Sequence, residues 1–302
     1  MKTLLVVNPM SGARGQRWRN LDLPGTVQGF FPEATLHLTQ SENDATEAAR
    51  FAVAEGFDLV IAVGGDGTIN EVMNGLVGSP VQLGILPAGT ENVLAKERHI
   101  PSSLEKAAQY LREAPPRKAD VARVTSGVSE TSSRRVGHFL CFAGVGFDAL
   151  IVEKIQPELK ARLGAMAYVM TGFDHMFKYQ EVNRVATIQV DDQPPQSFAF
   201  WQIIIANIQT YGGGLRPAPR ASMHDGLLDL ILWPRADLAG TIHQVVATAT
   251  GAHLGLPDVK YIQGQRFWID TEPASMIQID GDLLGPTPVL IEVLPQALWT
   301  RF

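Results

Sequence analysis

The stretch Gly64-Gly65-Asp66-Gly67-Thr68 closes an apolar run over residues 59–63 and opens a helical pattern of apolar residues at Ile69, Val72, Met73 and Leu76. Glycine lets the backbone bend sharply and leaves bare N–H groups, and the helix that follows aims its positive end at the same point, so the stretch reads as a phosphate cradle. Thr68 and Glu71 have capping-box spacing, which predicts that the helix start is specified locally. Asp66 is the odd member. A carboxylate beside a phosphate repels it unless a cation or a transferable proton stands between them, and this points to catalysis or metal binding. The plainer alternative is a glycine-rich turn whose aspartate satisfies backbone donors.

Two other loops share this placement. Asn8-Pro9-Met10-Ser11-Gly12 ends the strand-like run 4–7, and Pro87-Ala88-Gly89-Thr90-Glu91-Asn92 ends the run 84–86. In an open α/β sheet, loops that follow strands gather at the carboxyl edge, where ligands bind. Up to about residue 120, short β-branched runs alternate with amphipathic segments, as in a parallel sheet covered by helices. Ser41 is read as the cap of a helix carrying Ala45, Ala48, Ala49 and Ala52. Ser102 or Ser103 is read as opening another, with Leu104, Ala107, Ala108 and Leu111, that stops before Pro115-Pro116. The proline pair and the polar stretch 125–135 bracket an expected hinge, with a cleft beside it.

Beyond the hinge the texture changes to strand-like runs at 138–143, 184–190, 198–208, 227–232, 266–270, 276–279 and 289–293, which implies an antiparallel sandwich. A helix over 159–177, with Leu159, Leu163, Met166, Met170, Phe173 and Phe177 on one stripe, is read as core rather than as lining for an apolar ligand. The expected division is 1–122 and 123–302, with the extreme C-terminal residues able to return to the first domain.

A length of 302 residues fits about two domains. A net charge of −6 argues against a nucleic-acid binder. The basic groups at Arg14, Arg17 and Arg19, and at Arg112, Arg117 and Lys118, read as solvated faces, with phosphate or anionic-membrane contact as the alternative. Cys141 stands alone, so no disulfide framework is expected. Nothing at the start resembles a signal peptide, and a cytoplasmic protein is expected. Residues 238–256 lack acidic and basic side chains other than histidine, but Gln244 and the glycines at 240, 251 and 255 favour a buried helix over a membrane span. Gly144-Val145-Gly146-Phe147-Asp148-Ala149 fits a dinucleotide fingerprint, yet no clean βαβ unit follows, so hydride transfer is set aside. The histidines never take zinc-site spacing, and a Walker-type loop is absent.

Taken in order, the three loops above, then Gly146-Phe147-Asp148, Tyr211-Gly212-Gly213-Gly214, Asp225-Gly226-Leu227-Leu228-Asp229 and Asp280-Gly281-Asp282, resemble the diacylglycerol kinase catalytic domain superfamily, which includes sphingosine kinases and bacterial lipid kinases. The resemblance implies an α/β fold: an N-terminal parallel-sheet nucleotide-binding domain of the NAD kinase and phosphofructokinase type, then a C-terminal antiparallel β-rich sandwich, with the active site in the interdomain cleft. It implies ATP and Mg2+ as cofactors and a lipid alcohol such as diacylglycerol as acceptor. Asn8 and Ser11 would lie near the nucleotide; Gly64, Gly65, Gly67 and Thr68, with Glu71, would hold the phosphates; Thr90 and Asn92 would complete the pocket. Asp280 is favoured over Asp66 as general base, with Asp66, Asp282 and Asp225 as metal candidates.

Two positions depart from the family pattern. Asp282 stands where relatives often carry glutamate, and His224 precedes Asp225 where relatives with a structural magnesium often carry a second acid. Transient peripheral membrane contact and a homodimer are compatible with the resemblance. A nucleotide or lipid carrier with little turnover, and a kinase for a soluble alcohol or NAD, are the rival readings.

Overall fold

Short apolar runs punctuated by glycine, proline and asparagine build the first part of the fold in the computed structural model, which describes residues 1–11, 23–127, 134–155, 179, 182–235 and 237–302. The chain divides into two units, Met1–Ala119 with Gln296–Phe302, and Asp120–Pro295. In the first, β1 (Thr3–Val7), β2 (Thr35–Leu38), β3 (Leu59–Gly64) and β4 (Gln82–Pro87) pair in parallel in the order β4-β3-β1-β2. β3 is buried along its whole length, so its sequence is continuously apolar rather than alternating, as expected of a parallel strand covered on both faces. The end of β15 (Val289–Thr300) adds beside β4, also parallel, through Trp299 and Thr300.

Helices α1 (Leu23–Gln28), α2 (Asp44–Ala54), α3 (Asp66–Leu76), α4 (Val93–Glu97) and α5 (Leu104–Glu113) belong to this unit. α2 and α3 pack very closely. A Cβ on Gly75 would lie 2.5 Å from the Ala49 Cβ and 2.6 Å from the Thr46 carbonyl, so the alanine-rich face of α2 and a glycine on α3 are one requirement. Ser103 is the N-cap of α5. Ser41 does not cap α2; that helix begins after Asn43, which takes a left-handed φ of 66°.

The expected capping box does not form either. α3 starts at Asp66, because the extended backbone of Gly65 lets the helix begin before Thr68, and no side chain among the described residues caps it. Glu71 reaches the neighbouring helix instead: its Oε2 accepts from the Ala45 N–H at 3.2 Å, and its carbonyl accepts from the Thr46 hydroxyl at 2.9 Å.

The second unit is a β-sandwich. One layer runs β11 (Lys260–Gly264), β10 (Leu228–Pro234), β9 (Gln196–Ala206), β7 (Phe142–Gly146), β13 (Met276–Ile279), β14 (Asp282–Pro286). The other contains β8 (Val185–Val190), β12 (Arg266–Glu272), β15, β5 (Arg117–Ser126) and β6 (Arg135–Phe139). β9 belongs to both layers: Gln196 to Ala199 pair with β8, and Gln202 to Ala206 pair with β7 and β10. Phe139, Phe200, Phe267, Ile205 and Leu230 fill the core between the layers, and alternate residues of β12 point into it.

Three expectations change here. Residues 117–124, bracketed as the hinge, form β5 together with Thr125 and Ser126 of the polar stretch. The run 138–143 is two strands, broken at Leu140-Cys141. Residues 238–250 form helix α7 (Leu238–Thr250), capped by Asp237 and ended by Gly251 with φ 75°, but it is not buried as a whole: Thr241, Gln244 and Thr248 face inward while Ile242, Val245 and Val246 are exposed. The polar side turns inward because it has partners there, the Gln244 amide oxygen accepting from the Trp201 indole N–H.

A further helix, α6, spans Phe147–Lys154. The expected helix at 159–177, and Arg14, Arg17 and Arg19, lie outside the described residues. Among the described residues no helix is long and apolar enough to cross a membrane.

Candidate active site

In the first unit the three loops of interest follow β1, β3 and β4, which are parallel neighbours, so all three leave the same sheet edge. Asn8 ties two of them together. Its N–H donates to the Val63 carbonyl at 3.0 Å, its Nδ2 donates to the Thr68 hydroxyl at 3.2 Å, and its Oδ1 accepts from the Met10 N–H at 2.9 Å. Ser11 closes the turn through its N–H to the Asn8 carbonyl. The loop after β4 is bound to the loop after β3 by the N–H groups of Ala88 and Gly89, both donating to the Gly64 carbonyl. Asn92, at a left-handed φ of 51°, closes a small ring with Gly89: it accepts from that N–H at 2.8 Å and donates to that carbonyl at 2.7 Å.

The glycines have different reasons to be there. A Cβ on Gly64 would lie 2.4 Å from the Thr68 Oγ1, and one on Gly89 would lie 2.5 Å from the Gly65 Cα, so both are required by close approach. Gly67 faces nothing within 4 Å. It leaves the first turn of α3 bare, and the N–H groups there have no side-chain cap among the described residues. Thr90 is exposed on the loop after β4. Glu71 is committed to the start of α2, as described above.

Asp66 is the first residue of α3. Burial raises its pKa; the amides of Leu94, Val93 and Asn92 at the start of α4 oppose that rise, and the Glu91 charge adds to it. Its Oδ1 is buried with no hydrogen-bond partner among the described residues. A desolvated carboxylate oxygen left unmet is costly, and such groups in native proteins call for a functional explanation. The link to α4 was not legible in the sequence, because backbone amides carry no residue signature.

In the second unit Asp280 and Gly281 form the two-residue link between β13 and β14, with φ 46° and 95°, the left-handed pair that a tight type I′ hairpin turn demands. The Asp280 carboxylate accepts three backbone hydrogen bonds, from Leu140 at 2.9 Å, Cys141 at 3.0 Å and Phe142 at 2.9 Å. These bonds cause the break between β6 and β7, since the N–H groups of the break turn to the side chain.

Asp148, the second residue of α6, lies close by in the same unit. Its Oδ2 accepts from the Tyr211 hydroxyl at 2.9 Å and from Gln278 Nε2 at 3.0 Å, while its Oδ1 is buried and unmet among the described residues. Burial raises its pKa against the lowering effect of Gln202, Gln278 and Tyr211. Gly144 makes the space, because a Cβ there would lie 2.0 Å from an Asp148 carboxylate oxygen. The sequence marked Asp148 and Tyr211 only as members of motifs and did not mark Gln278 or Gln202; no periodicity distinguishes a glutamine that bridges two loops from one that faces solvent.

Asp225 organises a turn: its Oδ1 accepts from the Leu227 N–H at 3.1 Å, and Gly226 at φ 72° donates to Asp120 at 2.8 Å. Burial raises the pKa of the neighbouring Asp229, with the Tyr261 hydroxyl opposing and the Asp225 charge adding. Asp282 is exposed at the start of β14. Among the described residues no three histidine, cysteine, aspartate or glutamate side chains are gathered as a ready metal site.

Residues 2–124 match the diacylglycerol kinase catalytic domain model, and residues 142–300 match the YegS C-terminal NAD kinase beta sandwich-like domain. A diacylglycerol kinase of Bacillus subtilis (strain 168) is 29% identical over 287 residues, spanning 94% of this chain and 90% of the relative. A crystal structure from Bacillus anthracis str. Sterne, provisionally described as a diacylglycerol kinase, has a TM-score of 0.81 at 25% identity, covering 100% of this chain and 95% of that one. The fold, though not the sequence, extends to an NAD kinase of Archaeoglobus fulgidus solved in complex with ATP, with a TM-score of 0.52 at 15% identity over 99% of this chain and 93% of that one.

Proposed function

Since the chain belongs to the diacylglycerol kinase family and is an ATP-dependent kinase with an NAD kinase-like fold, we propose that it phosphorylates the hydroxyl of a lipid alcohol such as diacylglycerol. The acceptor oxygen forms a bond to the γ-phosphorus, the bond from that phosphorus to the β–γ bridging oxygen breaks, ADP leaves, and the hydroxyl proton passes to a carboxylate. Phosphoryl transfer needs little covalent chemistry from the protein; it needs positioning and charge neutralisation.

The observation that carries the reading is Asp66: a buried carboxylate oxygen with no partner among the described residues, on the first turn of a helix that no described side chain caps, beside loops from three parallel strands. We assign the phosphates to the bare first turn of α3, around Gly65, Gly67 and Thr68, with Asn8, Ser11, Thr90 and Asn92 around the nucleotide. Glu71 is assigned a supporting part, through the start of α2. The Asp66 Oδ1 is a hard anionic oxygen and fits Mg2+, which when bound with ATP would neutralise charge on the phosphates. Asp282 and Asp225 are weaker candidates, since Asp282 is exposed and Asp225 is engaged in its own turn.

Asp280 is assigned as the base for the acceptor hydroxyl. Its left-handed backbone and the three amides that grip its carboxylate fix it in one place, as a base must be, and backbone held in a sparsely populated region is common at functional sites. A cytoplasmic enzyme making transient contact with the membrane that holds its acceptor follows from this reading.

Incubation of the protein with γ-labelled ATP, Mg2+ and vesicles containing diacylglycerol tests it, with product identification by mass spectrometry. Labelled phosphatidate is expected. Label appearing only in a soluble alcohol or NAD, or saturable lipid binding with no label transfer, overturns the lipid-kinase assignment.

A further inference from the structure

Gln278 is 2% exposed, on the strand that leads into the Asp280 turn, and both ends of its amide are used. Its Nε2 donates to Asp148 Oδ2 at 3.0 Å and its Oε1 accepts from the Gly281 N–H at 2.8 Å. The orientation of this amide is not a free choice. Gly281 can only donate there, so the Gln278 oxygen must face it, and the amide nitrogen must then find an acceptor at the other end.

That acceptor is Asp148, itself fixed from three sides. Tyr211 donates to the same oxygen, the Asp148 N–H donates to Gln202 Oε1 at 2.9 Å, and Gln202 in turn donates to the Ile203 carbonyl at 3.0 Å. The Tyr211 ring packs edge-on against Phe142 with centroids 4.9 Å apart, and Phe142 supplies one of the three amides that hold Asp280. The Asp280 N–H closes the circuit by donating to the Phe142 carbonyl at 2.9 Å.

From this we infer that Gln278 is a positioning residue for Asp280, its amide held in the required orientation by Asp148 and Tyr211, so that the chain Tyr211–Asp148–Gln278–Gly281 sets where the Asp280 carboxylate stands. The inference rests on the assignment of Asp280 as base. It goes further by naming a relay, within one unit, that holds the base in place for the chemical step. A hydrogen-bonded network of this kind is informative when every member is engaged, because one replaced partner leaves the rest with the wrong donors or acceptors.

Three variants separate the relay from plain packing. Gln278→Leu removes both bonds, Gln278→Glu keeps an acceptor for Gly281 but sets two carboxyl groups against each other, and Tyr211→Phe keeps the ring against Phe142 while removing one donor to Asp148. Kinase activity is read with saturating lipid while ATP is varied, from pH 5.5 to 8.5, alongside Asp280→Asn. For Gln278→Leu, kcat is expected to fall about 10- to 100-fold with the KM for ATP within about twofold of wild type, the signature of lost transition-state positioning without lost nucleotide binding.

Gln278→Glu is expected to be impaired at high pH and to recover as pH falls, because one proton shared between the two carboxyls restores a donor–acceptor pair. Among the described residues, the other titratable groups facing this point are the Tyr211 hydroxyl and the Tyr179 hydroxyl, whose pKa burial raises, with Arg184 opposing that rise and the Asp148 charge adding to it. Tyr211→Phe is expected to show a smaller kcat loss.

If Gln278→Leu does not fold, the pH profile of Gln278→Glu decides. Wild-type kcat and a wild-type pH profile in the Gln278 variants, with Asp280→Asn inactive, overturn the relay and leave the base assignment standing. Wild-type kcat in Asp280→Asn overturns the base assignment itself.

Discussion

Replacing Asp280 tests catalysis and architecture together, and the structure says how to tell them apart. The carboxylate receives Leu140 N–H on Oδ2 and the Cys141 and Phe142 N–H groups on Oδ1. Asparagine keeps an oxygen for Cys141 and Phe142 but sets an NH2 group against the Leu140 donor. Hydrogen bonds to charged groups contribute about 1.5–3 kcal/mol each, so Asp280→Asn should cost about that amount. Alanine leaves all three buried donors unmet and adds strain at φ 46°; since neighbouring losses are not additive, about 3–6 kcal/mol is expected.

For a unit of this size, about 2–4 °C of Tm accompanies each kcal/mol, which places the asparagine variant about 3–12 °C below wild type and the alanine variant lower still. Scanning calorimetry is the suitable assay, because two units need not melt in one transition and a single midpoint would blend them. Activity should then be compared well below the lower Tm, where every variant is folded. Asparagine and alanine variants melting together, within about 1 °C of wild type, would refute the claim that the three amides depend on this carboxylate.

Asp66→Asn is expected to abolish turnover yet raise stability at neutral pH. The folded-state pKa of Asp66 lies above its ordinary value, so the wild type loses stability as pH rises through that interval; the variant lacks this loss, and its Tm advantage should open from about pH 4 upward and then level off. A Tm difference independent of pH would contradict the cause given for the shift. Gly89→Ala should destabilise by about 1–3 kcal/mol, because the new Cβ meets the Gly65 backbone rather than a movable side chain, measurable by urea denaturation. Gly67→Ala meets nothing within 4 Å and should stabilise α3 by about 0.5–1 kcal/mol while raising the KM for ATP, because the methyl group occupies the bare first turn. An unchanged KM there would move the phosphates elsewhere. Removal of divalent cations with a chelator should stop turnover and leave the melting curve of the first unit in place; transfer that persists in chelator would remove Mg2+ from the mechanism.

What the sequence shows of this protein is what lies close together along the chain. β3 and the buried middle of β4 are continuous apolar runs because both their faces are covered, and the loops after them are legible because Gly64 and Gly89 stand where a Cβ would clash and Asn92 takes a left-handed φ. Two of the misread features depend on a distant partner. The break between β6 and β7 is made by a side chain 140 residues away from Leu140, and the local run 138–143 has no turn residue to announce it. Glu71 has capping-box spacing but serves α2, 26 residues before it.

Asp280 shows the limit most sharply. Asp-Gly is the pair that a two-residue hairpin takes for its backbone alone, so the motif by itself does not separate a turn from a base. The three amides on its carboxylate add a second, structural use for the charge. Asn-Gly suits the same turn, so Asp280→Asn keeps the backbone shape while removing the negative charge, whereas Asp280→Ala disturbs both. Equal kcat loss in the two variants, measured where both are folded, assigns that loss to the missing charge; a loss confined to alanine assigns it to the turn.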